Sequence, residues 1–412
     1  MRFHHRAVAI VLAAILIDTI GFGIVMPVLP DLIVHLARVS LPDATRIAGY
    51  MLVAFAGTQF FAGPILGNLG DRFGRRPVLL LSMLAFAADY AFMAAAPTIA
   101  WLFVGRLIAG VAGAVYAPAN AVLADVTPPE KRGATFGLMG AAFGVGFILG
   151  PALGGLLAGF GTRAPFIAAA TLAAANALWI AFSLPETLPR ERRRPFDWRQ
   201  AHVFGAFRPL FHAGGATPLL LAALLWQLGH IVYPATWAFW GALALGWDAK
   251  AIGWSLAAAG LAMGLAQTFV TGRAIERFGE ARTVLIGMAV GGSAFLAYVF
   301  ATAGWVVYII IFVSALQGLV YPSMNALLSR MTDEKHQGAL QGGMASITSL
   351  AAIIGPLAMT QALAFGAERG EPGGAFLLAA LLAFSALLLI WFGVVRRLER
   401  GRERLLRPAH PE

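Results

Sequence analysis

The sequence predicts an all-α membrane protein whose twelve transmembrane helices form two six-helix pseudo-repeats. Three observations predict it. Of 412 residues, 59% are hydrophobic and 12% charged, against roughly 25% charge in a soluble domain, which leaves too little polar surface to cover a globule. Apolar runs of about 20 residues or more, the length that crosses a bilayer as a helix, recur along the whole chain. Motifs of the first half return in the second at one offset, Gly67 falling on Gly272.

The spans follow in order. Residues 7–30 carry one charge, Asp18, and lack a small-residue cleavage site, so they are expected to remain as the first helix. Residues 47–68 form the second, with Gln59 inside it. Next comes GNLGDRFGRRP, residues 67–77, with four charges at Asp71, Arg72, Arg75 and Arg76. Such a cluster cannot sit in hydrocarbon, so a tight turn at a membrane face is expected. Gly67, Gly70 and Gly74 permit close approach and positive φ, and Pro77 suits the first turn of a helix. The third span, 78–97, contains Asp89, and the fourth, 100–124, contains Arg106 and Asn120. Asp125, Glu130, Lys131 and Arg132 make a second charged cluster behind it. In the fifth span, 134–160, the stretch GVGFILGPALGG (144–155) offers small residues for close helix packing, and Pro151 after Gly150 bends it. The sixth span is 164–184.

The second set is read at 216–241, 250–273, 282–302, 304–329, 337–364 and 373–395. Barrel strands are excluded by length, since about 10 alternating residues suffice for one. The expected organisation is a first six-helix half at 1–184, a basic cytoplasmic linker at 185–215, and a second half with a cytoplasmic tail at 216–412.

Lysine and arginine crowd one set of loops: Arg72, Arg75, Arg76, Lys131, Arg132, the linker from Arg190 to Arg208, Arg273, Arg277, Arg330 and the tail. The opposite set holds Arg38, Arg46, Arg163, Lys250 and Arg369. Both termini are therefore expected in the cytoplasm. This asymmetry accounts for the net charge of +10 as membrane orientation, without invoking nucleic acid. The linker is expected to lie on anionic lipid. The chain has no cysteine, which excludes disulfides and zinc–thiolate sites.

The offset of 205 pairs Gly67 with Gly272, Asp71 with Glu276, Arg72 with Arg277, Phe73 with Phe278 and Gly74 with Gly279. It also pairs Thr127 with Thr332, Gly133 with Gly338, Gly137 with Gly342, and Gly150-Pro151 with Gly355-Pro356. Parallel six-helix repeats are the arrangement of a rocking transporter with its site between the halves. Twelve spans, a central basic loop and GNLGDRFGRRP resemble the major facilitator superfamily. GVGFILGPALGG resembles the fifth-helix signature of its drug–proton antiporters. LIDTIGFGIVMPVLP (16–30), AADYAFMAAAP (87–97) and NALLSRMTDEKHQGALQG (325–342) are similar to the tetracycline efflux group.

That resemblance implies proton-coupled export of a drug-like amphipathic molecule across the cell inner membrane, with tetracycline the leading substrate. It implies a monomer working with protons, a small-molecule substrate and lipid. It implies no resident cofactor, a divalent cation entering only as part of a chelated substrate. A multidrug or other small-metabolite exporter, an uptake symporter and a non-transporting sensor stay open as alternatives. An enzyme is disfavoured by the lack of cysteine and of HExxH or GxSxG patterns.

A charge at mid-bilayer costs about 2.5–3.5 kcal/mol, so Asp18, Asp89 and Arg106 should each face a cavity or a partner. Asp89 is expected nearer a membrane face, and Arg106 to tune a carboxyl, Asp18 if their helices meet. Burial favours a neutral acid and a nearby arginine an ionised one, the basis for a proton taken up and released in a cycle. Gln59, Asn120, Gln227, His230, Gln267, Gln317 and Asn325 are candidates to line the cavity, or else to bond neighbouring helices. Trp226, Tyr233, Trp237 and Phe239 could offer flat aromatic surface. Gly67, Asp71, Arg72, Gly74, Arg75, Arg76, Asp125, Gly150, Pro151, Glu276 and Arg277 form the expected gating set, Asp125 matching the superfamily's acid at the end of the fourth helix. Tetracycline exporters carry an acid in the ninth span and a histidine in the eighth, where this chain has Gly291 and Met263. Proton coupling is therefore expected to rest on the first half.

Overall fold

A computed structural model of the protein describes residues 2–112, 116–196, 217–330 and 337–395. Arg199, Arg208, Thr332, Lys335 and the tail from 396 onward lie outside the described residues. Every regular element among the described residues is helical. Among the described residues, ten stretches are long and apolar enough to cross a membrane, and Ile99–Val111 is a shorter apolar helix. One stretch, Ala249–Val299, holds two crossings joined through a kink at Gly279. These account for the twelve spans, and the chain is a multi-pass membrane protein.

Packing divides it into two compact units: Met1–Val203 with Ala235–Leu261, and Phe204–Pro234 with Ala262–Glu412. The first unit contains α1 (Arg2–Val25), α2 (Leu29–Ala37), α3 (Leu41–Phe73), α4 (Arg75–Ala95), α5 (Ile99–Ala112), α6 (Tyr116–Val126), α7 (Arg132–Leu157) and α8 (Ala164–Ser183). It also takes most of α10 (Val232–Leu245) and of α11 (Ala249–Ala266), which follow α9 (Thr217–His230). The second unit contains α9, α12 (Gly272–Val299), α13 (Gly304–Ser314), α14 (Val320–Arg330), α15 (Gln337–Ala367) and α16 (Gly374–Ile390).

Two boundaries differ from the sequence reading. The second helix begins at Leu41 instead of 47, because Ser40 caps it by accepting the Asp43 N–H at 3.3 Å and Pro42 occupies its first turn. The charged turn is also much shorter than eleven residues. Helix α3 runs through Gly67, Gly70 and Asp71 to Phe73, and Gly74 alone reverses the chain before α4. Glycine is tolerated inside membrane helices, so the glycines at 67 and 70 do not end this one. Gly74 does, with φ 110° and ψ 162°, a conformation essentially reserved for glycine.

The first and fifth crossings pack backbone to backbone. A Cβ on Gly146 would lie 2.7 Å from Thr19 Cβ, and one on Gly150 would lie 2.7 Å from the Ile20 carbonyl oxygen and 2.8 Å from Gly23 Cα. Gly154 meets the Ile24 backbone one turn further on. These glycines recur every four residues and so share one face of α7. Another face, at Gly155, meets α11: a Cβ there would lie 2.8 Å from the Ala249 carbonyl oxygen and 3.0 Å from Lys250 Cα.

Candidate functional site

The interior of the first unit holds the three charges that composition made conspicuous. Asp89 on α4 is 0% exposed, and Arg106 on α5 is 9% exposed. The guanidinium embraces the carboxylate: Arg106 Nε donates to Asp89 Oδ1 at 3.2 Å, and Nη2 pairs with Oδ2. Arg106 also stands over the Phe55 ring of α3 at 5.6 Å. The neighbouring Gly105 leaves room for the acid, since a Cβ there would come within 2.6 Å of Asp89 Oδ1. Asp89 is completely buried, its charge satisfied by arginine without water. One expectation is thereby corrected. Arg106 takes Asp89 as its partner, and Asp18 is left without it.

Asp18 on α1 is 7% exposed and makes no hydrogen bond or ion pair among the described residues. Its helix is nonetheless held firmly around it. Asn176 Nδ2 on α8 donates to the Ala14 carbonyl at 2.9 Å, one turn earlier, and Thr19 Oγ1 bonds back to Ile15 at 2.8 Å. The carboxyl is thus carried by a packed element whose own polar groups are satisfied elsewhere. Gln59 and Asn120, on α3 and α6, are half-buried.

The charged turn forms a second centre. Arg75 bonds Asp71 at 2.6 Å and reaches Asp125, in the last turn of α6, at 3.4 Å. Arg76 Nη2 donates to the Ala181 carbonyl at the end of α8. Arg72 lies over the adjacent Phe73 ring at 5.0 Å. One participant was missed in the sequence. Glu186, just past α8, accepts three backbone N–H groups on Oε1: Arg75 at 2.9 Å, Thr187 at 3.0 Å and Leu188 at 3.0 Å. It caps the start of α4 and fixes the head of the linker at the same time. The only signal was an acid directly after a proline at the end of an apolar run.

The repeated turn in the second unit is plainer. Gly279 has φ 74° and ψ 163°, and Thr283 Oγ1 secures the kink through the Gly279 and Ala274 carbonyls at 2.7 and 3.1 Å. Arg277 lies over Phe278 at 5.7 Å, repeating Arg72 over Phe73, but Glu276 is exposed and forms no ion pair among the described residues.

Elsewhere in the second unit, the Trp226, His230, Tyr233, Phe295, Tyr298 and Phe376 rings form one cluster. Gln317 is buried and its Nε2 donates to the Tyr233 hydroxyl at 3.1 Å. Gly291 sits beneath Trp226: a Cβ there would fall 2.5 Å from the indole Cη2 and 3.2 Å from Gln317 Cβ. Met263 Sδ packs 2.5 Å from the equivalent point on Gly318. Both places are filled by apolar side chains. Asn325 keeps a buried Oδ1 without a hydrogen-bond partner among the described residues, Gln227 is half-buried, and Gln267 is exposed on a π-helical turn. Trp237 and Phe239, which belong to the first unit, are core residues and not cavity surface. Both are buried, and Trp237 Nε1 is spent on Ser255 Oγ at 2.9 Å.

A multi-pass helical chain with a repeated glycine turn, buried acids and a charged cluster where helix ends meet is the architecture of a secondary transporter. The chain belongs to the major facilitator superfamily, whose family profile matches residues 11–240 and 229–410. It is 40% identical over 393 residues to the tetracycline resistance protein, class C, of Escherichia coli, covering 95% of this chain and 97% of that protein. It is 38% identical over 354 residues to the class G protein of Vibrio anguillarum, covering 84% and 87%. Multidrug resistance protein 2 of Bacillus subtilis (strain 168) is 27% identical over 353 residues, covering 84% and 86%. Among solved structures, the nucleoside transporter NupG superposes with a TM-score of 0.74 at 13% identity, covering 95% of this chain and 98% of that one.

Proposed function

We propose that this chain is a proton-coupled efflux antiporter of the cell inner membrane, exporting an amphipathic drug-like molecule, with tetracycline the leading substrate. The observation that carries it is the contrast between two buried acids: Asp89 is neutralised by Arg106, and Asp18 has no partner among the described residues. A buried carboxyl without a cation is the group able to carry a proton. The class C and class G relatives supply the substrate. In this reading both termini are cytoplasmic, the halves 1–184 and 216–412 alternate about the linker, and the monomer acts without resident cofactor or enzymatic chemistry. A divalent cation enters only with a chelated substrate.

The test is expression in an efflux-deficient bacterium, with everted vesicles for transport. Tetracycline should become less toxic, and its addition should release protons in a pH-dye assay. Unchanged susceptibility with no proton movement would sink the proposal. A broader multidrug range is the second reading, favoured by the Trp226 indole that fills the space beside Gly291. Protection against unrelated aromatic cations but not tetracycline would select it.

A further inference from the structure

Past α8 the linker head folds back over the charged turn and borders an open-sided cavity of about 390 Å³, lined by Asp71, Arg75, Leu188, Arg192 and Arg194. The walls are fixed. Arg194 N donates to the Asp71 carbonyl at 3.1 Å, and Glu186 holds the Arg75, Thr187 and Leu188 amides. The charge inside is unbalanced. Asp71 is neutralised by Arg75, while Arg192 and Arg194 have no carboxylate partner among the described residues. Glu186 is committed to backbone amides and lies 4.0 Å from Arg193. Arg192 and Arg194 therefore line, beside the Asp71–Arg75 pair, a space in which no described carboxylate is paired with them.

What borders this space indicates the ligand. Arg76 grips the Ala181 carbonyl, and the next residue, Phe182, is 87% exposed at the end of an apolar, membrane-length helix. Phe73, at the end of α3, is exposed as well. Apolar side chains beside a cationic pocket at helix ends suit a molecule with both acyl chains and a phosphate. We propose that this pocket binds the phosphate of an anionic phospholipid headgroup, with Arg192 and Arg194 as its ligands. A bound headgroup would tie the linker to the charged turn. This differs from diffuse attraction of a basic loop, because it needs two particular arginines.

The test uses the purified full-length protein equilibrated with an equimolar mixture of phosphatidylglycerol and phosphatidylcholine, with retained lipid read by native mass spectrometry. At about fivefold per arginine, Arg192→Gln with Arg194→Gln should lower the retained ratio of phosphatidylglycerol to phosphatidylcholine roughly 30-fold. Arg190→Gln with Lys131→Gln removes the same charge at exposed residues that do not line the pocket and should change the ratio by less than about twofold. Equal losses in both variants would mean diffuse attraction, and no loss in either would remove the site. Displacement of phosphatidylglycerol by inorganic phosphate would reassign the pocket to a soluble anion. Each of those three results overturns the proposal.

Discussion

Gly74 and Gly279 hold the same point of the repeated turn with φ of 110° and 74°, yet only Gly74 faces another segment: a Cβ on it would land on the Glu186 carboxylate, while one on Gly279 would meet nothing within 4 Å. The shared conformation follows from the shared task of reversing a helix in one residue. The difference follows from Glu186, which serves the first turn alone. Backbone strain should cost about 1–3 kcal/mol in both alanine variants. Gly74→Ala should cost roughly 1–2 kcal/mol more, because it also displaces a capping carboxylate. Thermal unfolding in detergent, with limited proteolysis of the linker head, would check this. Equal losses, or no new cleavage in Gly74→Ala, would mean that Glu186 holds nothing.

The Asp89–Arg106 pair predicts a strong thermodynamic coupling. Removing one partner leaves a buried charge unmatched, at a cost of about 3–5 kcal/mol. Arg106→Gln and Asp89→Asn should each lower the unfolding temperature sharply. The double variant should recover part of the loss, with a coupling of about 2 kcal/mol or more. Additive effects would show that the two groups do not depend on one another.

Within the small-residue stretch of α7, the glycines should separate into two classes. Gly150→Ala forces a methyl against the α1 backbone, which cannot move aside as a side chain could, and should cost about 1–3 kcal/mol. Gly144→Ala meets nothing within 4 Å and should be neutral or slightly stabilising, since alanine favours the helix. Expression level and unfolding temperature would decide between them. Similar behaviour of both would mean that close contact with α1 does not set the glycine requirement.

Much of this was legible in the sequence for a physical reason. Charges in hydrocarbon are costly, so Asp18, Asp89 and Arg106 stand out without any structure. Their pairing was not legible. Arg106 is drawn to whichever acid helix packing brings within reach, and no spacing along the chain separates α4 from α1 as its neighbour. The repeat announced the turn at Gly279 through the turn at Gly74, but glycine-rich GNLGDRFG concealed that helix α3 continues to Phe73. Trp237 and Phe239 were misplaced because aromatic rings serve a core and a cavity equally well. Glu186 escaped notice because its partners are backbone amides, which leave no trace in side-chain identity.

Asp18→Asn separates function from structure most cleanly. The side chain is 7% exposed and has no ion pair or hydrogen bond among the described residues, so no described contact is lost when it becomes an amide. The helix that carries it is fixed by the Asn176–Ala14 bond and by glycine packing against α7, both untouched by the change. Membrane insertion should be normal and the unfolding temperature unchanged or raised, since an unmatched buried carboxyl is a cost to the fold. Only titration disappears. If Asp18 carries the coupled proton, the variant should lose substrate-induced proton movement and uphill efflux while retaining downhill exchange, because the route itself is intact. Everted vesicles with a pH dye, alongside unfolding measurements, read both sides of this statement. Wild-type proton flux in Asp18→Asn would move coupling to another group. A collapse of stability would instead make the carboxyl a structural element, and its loss of transport would then say nothing about protons.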